Sequence, residues 1–138
     1  MSEQQNLDIV RQGYAAFGRG DIQGLLNLLD PQVTWTTPGG ADVPFSGTRR
    51  GHAAVGEFFA TLANTLDITR FEPKDFLAQG DKVVVLGGDT SIVKATGKSV
   101  DHRWVHVHTV RDGKIVSFEE IGDMSAVAAE LRSAQARV

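Results

Sequence analysis

From Leu66 onward the chain switches to a strand period and keeps it for more than fifty residues, and no other feature constrains its fold as tightly. Alternating, β-branched-rich segments run over Asp67–Ala78, Lys82–Val93, Ser99–Val110 and Lys114–Ile121. Between them lie short turns at Gly80-Asp81, Ala95–Lys98 and Arg111-Asp112-Gly113. Strands joined by connections this short pair antiparallel with their sequence neighbours, and their alternation requires one face to be covered. The Gly87-Gly88 pair inside the second strand predicts a bulge or sharp bend there, curling the sheet.

The first half of the chain supplies the cover. Leu7, Val10, Tyr14 and Phe17 recur at helical spacing, with Ser2 and Gln5 as a capping box and Gly18-Arg19-Gly20 as the stop. Asp21 caps a short second helix with Ile22, Leu25, Leu26 and Leu29 on its apolar face, ended by Asp30-Pro31. Val33–Thr37 reads as a first strand, and Pro38–Gly47 as a loop long enough to overhang a site. A third helix from His52 to Asn64 buries Val55, Phe58, Phe59 and Leu62, and Ala126–Arg132 forms a short C-terminal helix. Helices followed by consecutive long strands define an α+β fold, helices packed on one face of a strongly bent, mainly antiparallel sheet.

Composition narrows the function classes. With 138 residues, 41% hydrophobic and 22% charged, residues 1–138 are expected to form a single domain with its own core. A net charge of −3 without a basic block argues against a nucleic-acid surface. The absence of cysteine removes disulfides, thiolate chemistry and cysteine-ligated metal. No apolar run approaches the roughly 20 residues a membrane span needs, and MSEQQNLDIV lacks a signal-peptide pattern, so a cytoplasmic location is expected.

The chemistry concentrates in the last hairpin, Asp101–Asp123, where His102, His106, His108, Glu119, Glu120 and Asp123 are threaded among apolar residues. Trp104, His106, His108 and Val110 share one face of their strand. A three-residue loop, Arg111-Asp112-Gly113, pairs Val110 with Lys114 and sets His108 opposite Val116, His106 opposite Phe118 and Trp104 opposite Glu120. A two-residue loop, Asp112-Gly113, would pair His106 with Glu119 and turn Glu120 outward. The three-residue loop is preferred because it keeps Phe118 with the apolar set.

Several motifs resemble those of SnoaL-like proteins of the nuclear-transport-factor-2-like superfamily, relatives of ketosteroid isomerase and polyketide cyclases. They are Tyr14-Ala-Ala-Phe-Gly-Arg-Gly-Asp21, Trp35 with Pro38-Gly39, Pro44-Phe45-Ser-Gly47, Arg50-Gly51, and Val110-Arg-Asp-Gly-Lys-Ile115 through Glu120 to Asp123. The resemblance spans about Leu7 to Leu131. It implies a cone-shaped α+β barrel around an apolar pocket, commonly in a homodimer; no cofactor is expected. His106 falls where ketosteroid isomerase carries its neutral oxyanion-stabilising aspartate. Pro38 stands at the closest match to that enzyme's base, and Tyr14 lies one residue from its tyrosine, so steroid isomerisation is not expected.

The candidate catalytic residues are therefore His106, as hydrogen-bond donor or proton shuttle, and a carboxylate, Glu120 or Asp123. Asp123 also suits the start of the C-terminal helix as a cap. Tyr14, Phe17, Trp35, Phe45, Phe58, Phe59, Leu62, Trp104, His108 and Phe118 are expected to bind the substrate. A metal held by His106 and His108, with His102 nearby, is disfavoured, because no third ligand has a secure position. Two readings follow: a cofactor-independent cyclase, isomerase or lyase acting on a small hydrophobic carbonyl compound, or a binding protein for a small apolar ligand.

Overall fold

Ser2 starts the first helix as the sequence predicts: its hydroxyl accepts from Gln5 N, and the Gln5 side chain accepts from Ser2 N. In the computed structural model, which describes residues 2–136, that helix (α1) spans Glu3–Gly18, and Gly20 at φ +74° carries the chain out of it. Its most buried positions are Asn6, Ile9, Val10, Gly13 and Ala16, while Leu7, Tyr14 and Phe17 flank them as partly buried neighbours of the core. The apolar stripe is thus wider than spacing alone suggests, and Tyr14 and Phe17 project from its edge toward the sheet.

Helix α2 (Ile22–Leu26) is capped by Asp21, which accepts from Gly24 N. Leu29, expected on this helix, instead begins strand β1 (Leu29–Thr37), so Asp30-Pro31 lies inside the strand. A short strand that alternation did not reveal, β2 (Gly47–Arg50), returns from the 38–46 loop to pair with β1. Helix α3 (Gly51–Thr65) follows and buries Val55, Phe58 and Phe59. The long strands are β3 (Leu66–Gln79), β4 (Lys82–Val93), β5 (Lys98–Arg111) and β6 (Lys114–Gly122), and helix α4 (Ser125–Ala136) closes the chain.

The strands form one curved sheet in the order β2-β1-β6-β5-β4-β3. All neighbours are antiparallel except β1 and β6, which run parallel with Trp35 beside Phe118. Its ends, β2 and β3, do not pair with each other, so the expected barrel is an open, mixed sheet. Among the described residues, no helix is long and apolar enough to cross a membrane.

Two details of the sheet correct the sequence reading. The irregularities predicted at Gly87-Gly88 lie on the partner strand, where register slips between Ile68 and Arg70 and again between Pro73 and Asp75. The glycines serve a steric end instead: a Cβ on Gly87 would lie 2.5 Å from Trp104 Cη2 and would also collide with Glu72 O.

The second correction concerns the last hairpin. Its loop has two residues, Asp112 (φ 51°) and Gly113 (φ 79°), a pair of left-handed conformations that matches the twist of a hairpin, so Arg111 pairs with Lys114. Alone, that loop would turn Glu120 outward. A bulge then intervenes: Val110 pairs with Ile115 but Thr109 with Ser117, leaving Val116 as the extra residue. Beyond it His108 lies opposite Phe118, His106 opposite Glu120 and Trp104 opposite Gly122. The faces match the three-residue expectation, but the strand is displaced by two residues along its partner.

Candidate functional site

The concave face of the sheet, with α1, α3, the 38–46 loop and α4, encloses a cavity of about 100 Å³. One wall is aromatic. Trp35 stacks on Phe118 at 3.9 Å between ring centroids, which their neighbouring register on β1 and β6 makes possible. Phe58 and Phe59 from α3 pack edge-on against each other at 5.0 Å, and Phe59 reaches Phe17 of α1 at 5.8 Å. Phe45 from the loop and Met124 and Val127 from the start of α4 complete the lining.

The wall beside it carries the polar groups, with Phe118 packed against both His106 and His108. His106 Nε2 lies 2.9 Å from Glu120 Oε1, the two residues facing each other across β5 and β6. The Tyr14 hydroxyl, reaching over from α1, lies 2.7 Å from His106 Nδ1 and 2.9 Å from His108 Nε2. All three rings are held by packing: Tyr14 lies parallel to His106, and Trp104 stacks on His106 at 3.7 Å.

These contacts fix where the protons are. Burial drives His106 below its ordinary pKa despite the hydrogen bond to Glu120, and it drives His108 down to about 3, helped by His106. Both rings are therefore neutral near pH 7, with one N–H each. A carboxylate only accepts, so His106 carries its proton on Nε2, and its bare Nδ1 must accept from Tyr14. The single hydroxyl proton is then committed, and the Tyr14 oxygen accepts from His108 Nε2. His108 Nδ1 is left as a bare acceptor, consistent with its lack of a partner among the described residues. Burial and the nearby Glu120 raise Tyr14 well above its ordinary pKa, keeping the hydroxyl protonated. The result is a one-way chain, His108 to Tyr14 to His106 to Glu120.

A second imidazole–carboxylate pair lies on the same wall. His102 and Asp89 face each other across β5 and β4, with His102 Nδ1 3.4 Å from Asp89 Oδ2. The same oxygen accepts from Trp104 Nε1 at 3.2 Å, and Asp89 Oδ1 accepts from Ser91 Oγ at 3.1 Å. Burial pulls the His102 pKa down, but the hydrogen bond to Asp89 and the charges of Glu120, Asp89 and Asp123 outweigh it and leave it raised.

Most residues singled out from sequence meet at the cavity: Tyr14, Phe17, Trp35, Phe45, Phe58, Phe59, Leu62, His106, His108, Phe118 and Glu120 all line it. Trp104 stands behind His106, and Ile115 takes the lining place expected of Val116. Asp123 is exposed and accepts from Ser125 N at 2.9 Å, and hydrogen bonds from Ser125 lower its pKa. His102 was weighed only as a metal ligand, and Asp89 was overlooked. Folding Lys82–Val93 onto Ser99–Val110 about the turn at 94–97 would have paired the two. Among the described residues no three His, Asp or Glu side chains are grouped to hold a metal ion.

A curved sheet closed by helices over an apolar cavity, with acid and imidazole on one wall, is the architecture of an NTF2-like protein. The sequence model for the SnoaL-like domain matches residues 10–118, and the chain belongs to that family. It is similar to an NTF2-like protein of Burkholderia xenovorans LB400, at 40% identity over 94% of this chain and 97% of that one, with a TM-score of 0.85. It is also similar to TerC, crystallised with polyporic acid, at 33% identity, 93% and 98% coverage and a TM-score of 0.82. An uncharacterised protein of Mycobacterium tuberculosis H37Rv is 30% identical over 122 residues, 87% of this chain and 90% of the relative.

Proposed function

We propose that the protein is a cofactor-independent acid–base enzyme of the cyclase, isomerase or lyase type, acting on a small hydrophobic carbonyl compound. The observation that carries this reading is the 2.9 Å contact between His106 Nε2 and Glu120 Oε1 in a predominantly apolar cavity. Glu120 is the base. It removes a proton α to the carbonyl, the C–H electrons pass into an enolate, and the protonated carboxyl returns its proton to carbon, or the enolate attacks a second carbonyl whose alkoxide takes that proton. His106 is not the enolate's hydrogen-bond donor, because Tyr14 and Glu120 occupy both its nitrogens. It is a positioning residue that aims one oxygen of Glu120, and the Tyr14–His108 chain behind it holds its tautomer.

The aromatic lining supports a flat, apolar substrate, and the co-crystal of TerC with polyporic acid supports binding of an organic acid within this fold. Self-association is proposed through the outer sheet face, where Leu86 and Ile121 are exposed. Ligand recovered by native mass spectrometry after mild extraction, then incubated with the protein in D2O, tests the assignment. Incorporation of deuterium α to a carbonyl that disappears in Glu120→Gln supports it. Return of unchanged, unlabelled ligand sinks it in favour of a binding protein.

A further inference from the structure

The second imidazole–carboxylate pair is left over from this scheme. His102 Nε2 is buried and has no hydrogen-bond partner among the described residues, although His102 lines the cavity. A buried polar atom without a partner is costly, and native structures rarely tolerate one without a purpose. Its surroundings are built around it. Asp89 receives hydrogen bonds from His102, Trp104 and Ser91, so the carboxylate is fixed and in turn fixes the ring. At Gly122, across the adjacent strand, an added Cβ would lie 2.8 Å from Nε2. Any side chain there would press on the tip of the ring, and glycine avoids that contact.

We infer that the Asp89–His102 pair is an anion-recognition site, whose Nε2–H receives the negatively charged oxygen of the ligand. The inference rests on the acid–base reading of the cavity and assigns the role that His106 cannot fill. When Glu120 takes the α-proton, the charge left on the carbonyl oxygen is stabilised by a donor already oriented and shielded from water. The substrate class is thereby narrowed to small, largely apolar molecules bearing an oxygen that is, or becomes, anionic: an enolisable ketone, a β-dicarbonyl or a phenol.

The groups facing His102 favour its cationic form. Asp89 on β4, Glu120 on β6 and Asp123 beyond β6 are acidic, while His106, on its own strand, opposes a proton on His102 only while charged and is itself held neutral by burial. Such a ring has N–H groups on both sides, one for Asp89 and one to offer. Three carboxylates nearby would repel an anion were the imidazolium absent, so the site is selective for a ligand oxygen that meets Nε2 directly.

The test uses 4-nitrophenol, whose ionised form absorbs at longer wavelength than its neutral form, titrated with the intact protein at a pH below its solution pKa. The wild-type protein is expected to bind it as phenolate. His102→Gln, which keeps a polar group of similar reach without the charge, is expected to bind it as neutral phenol. The pKa of the bound phenol should then rise by about one unit, a tenfold shift in its ionisation. Asp89→Asn should shift it in the same direction and serves if His102→Gln does not fold. Uptake of the neutral form alone by the wild type, an undiminished phenolate signal in both His102→Gln and Asp89→Asn, or no uptake at millimolar phenol would each overturn the inference. A phenolate signal that behaves as expected alongside failed deuterium exchange would leave the anion site standing and remove the assignment of Glu120 as base.

Discussion

Strand β5 carries two imidazole–carboxylate pairs four residues apart, on the same face, and the pKa values of their imidazoles shift in opposite directions. His106 has the shorter contact, 2.9 Å to Glu120, yet its pKa is lowered; His102 has the longer one, 3.4 Å to Asp89, yet its pKa is raised. Distance to the nearest carboxylate does not decide the matter. His106 is walled in by Tyr14 and Trp104, so desolvation dominates. His102 is less deeply buried and feels Asp89, Glu120 and Asp123 together. One ring is therefore held toward its neutral form and orients a base, and the other is held toward its cationic form.

Removing the base tests that division most severely. In Glu120→Gln the amide can still accept from His106, but it cannot take a proton, and turnover should fall by about a hundred- to ten-thousand-fold. Ligand affinity should change far less. If turnover and affinity fell together, Glu120 would be a binding residue and the two pairs would not differ in role.

Trp104 separates the pairs, stacking on His106 at 3.7 Å and donating to Asp89 at 3.2 Å. Trp104→Ala should cost about 3–5 kcal/mol in chemical denaturation, as for other large buried aromatics. It should also loosen both imidazoles at once, reducing deuterium exchange and phenolate binding together. A variant that lost only one would show that the pairs are independent.

The acid limb of stability distinguishes them by sign. His108, buried with a pKa of about 3 against 6.5 unfolded, contributes stability present above pH 6.5 and lost as pH falls toward 3. His106 shifts in the same direction. His102, with its folded pKa raised, contributes stability that is full below 6.5 and disappears as pH rises through the folded value. Urea titrations at successively lower pH should show His108→Gln flattening the acid loss by up to about 1.4 kcal/mol per pH unit. His102→Gln should leave that slope unchanged and remove instead a gain in stability as pH falls toward 6.5. Identical slopes in the two variants would mean that the rings do not differ in charge.

Which of these residues could be read from sequence depended on what alternation encodes. The apolar residues Val116 and Phe118, alternating with Glu119, put Glu120 on their own side of the sheet, so its inward face was legible although its partner was not. A turn of three residues, or a turn of two followed by a bulge at Val116, preserves the same parity. Choosing between them requires knowing that β1 docks on β6 and stacks Trp35 on Phe118. Asp89 was hidden for a different reason. A single acid after two glycines looks solvated until Trp104 and Ser91 converge on it, and those contacts belong to tertiary packing. Leu29 illustrates the same limit, since a leucine at helical spacing was claimed by β1.

The smallest effect belongs to the third carboxylate. Asp123 resembles Glu120 in sequence, an acid at the end of the same strand, but it lies in solvent and accepts from Ser125 N at 2.9 Å. Its charge reaches His102 only as the weakest of the named influences on that ring. Asparagine can make the same turn-type hydrogen bond, so Asp123→Asn should change stability by less than about 0.5 kcal/mol. Turnover should be unchanged, and the bound 4-nitrophenol should remain ionised. A hundredfold loss of turnover in Asp123→Asn, with Glu120→Gln active, would transfer the base to Asp123. That outcome would require α4 to unwind at Ser125 so that the carboxylate could turn inward, which hydrogen exchange at the Ser125 amide would detect.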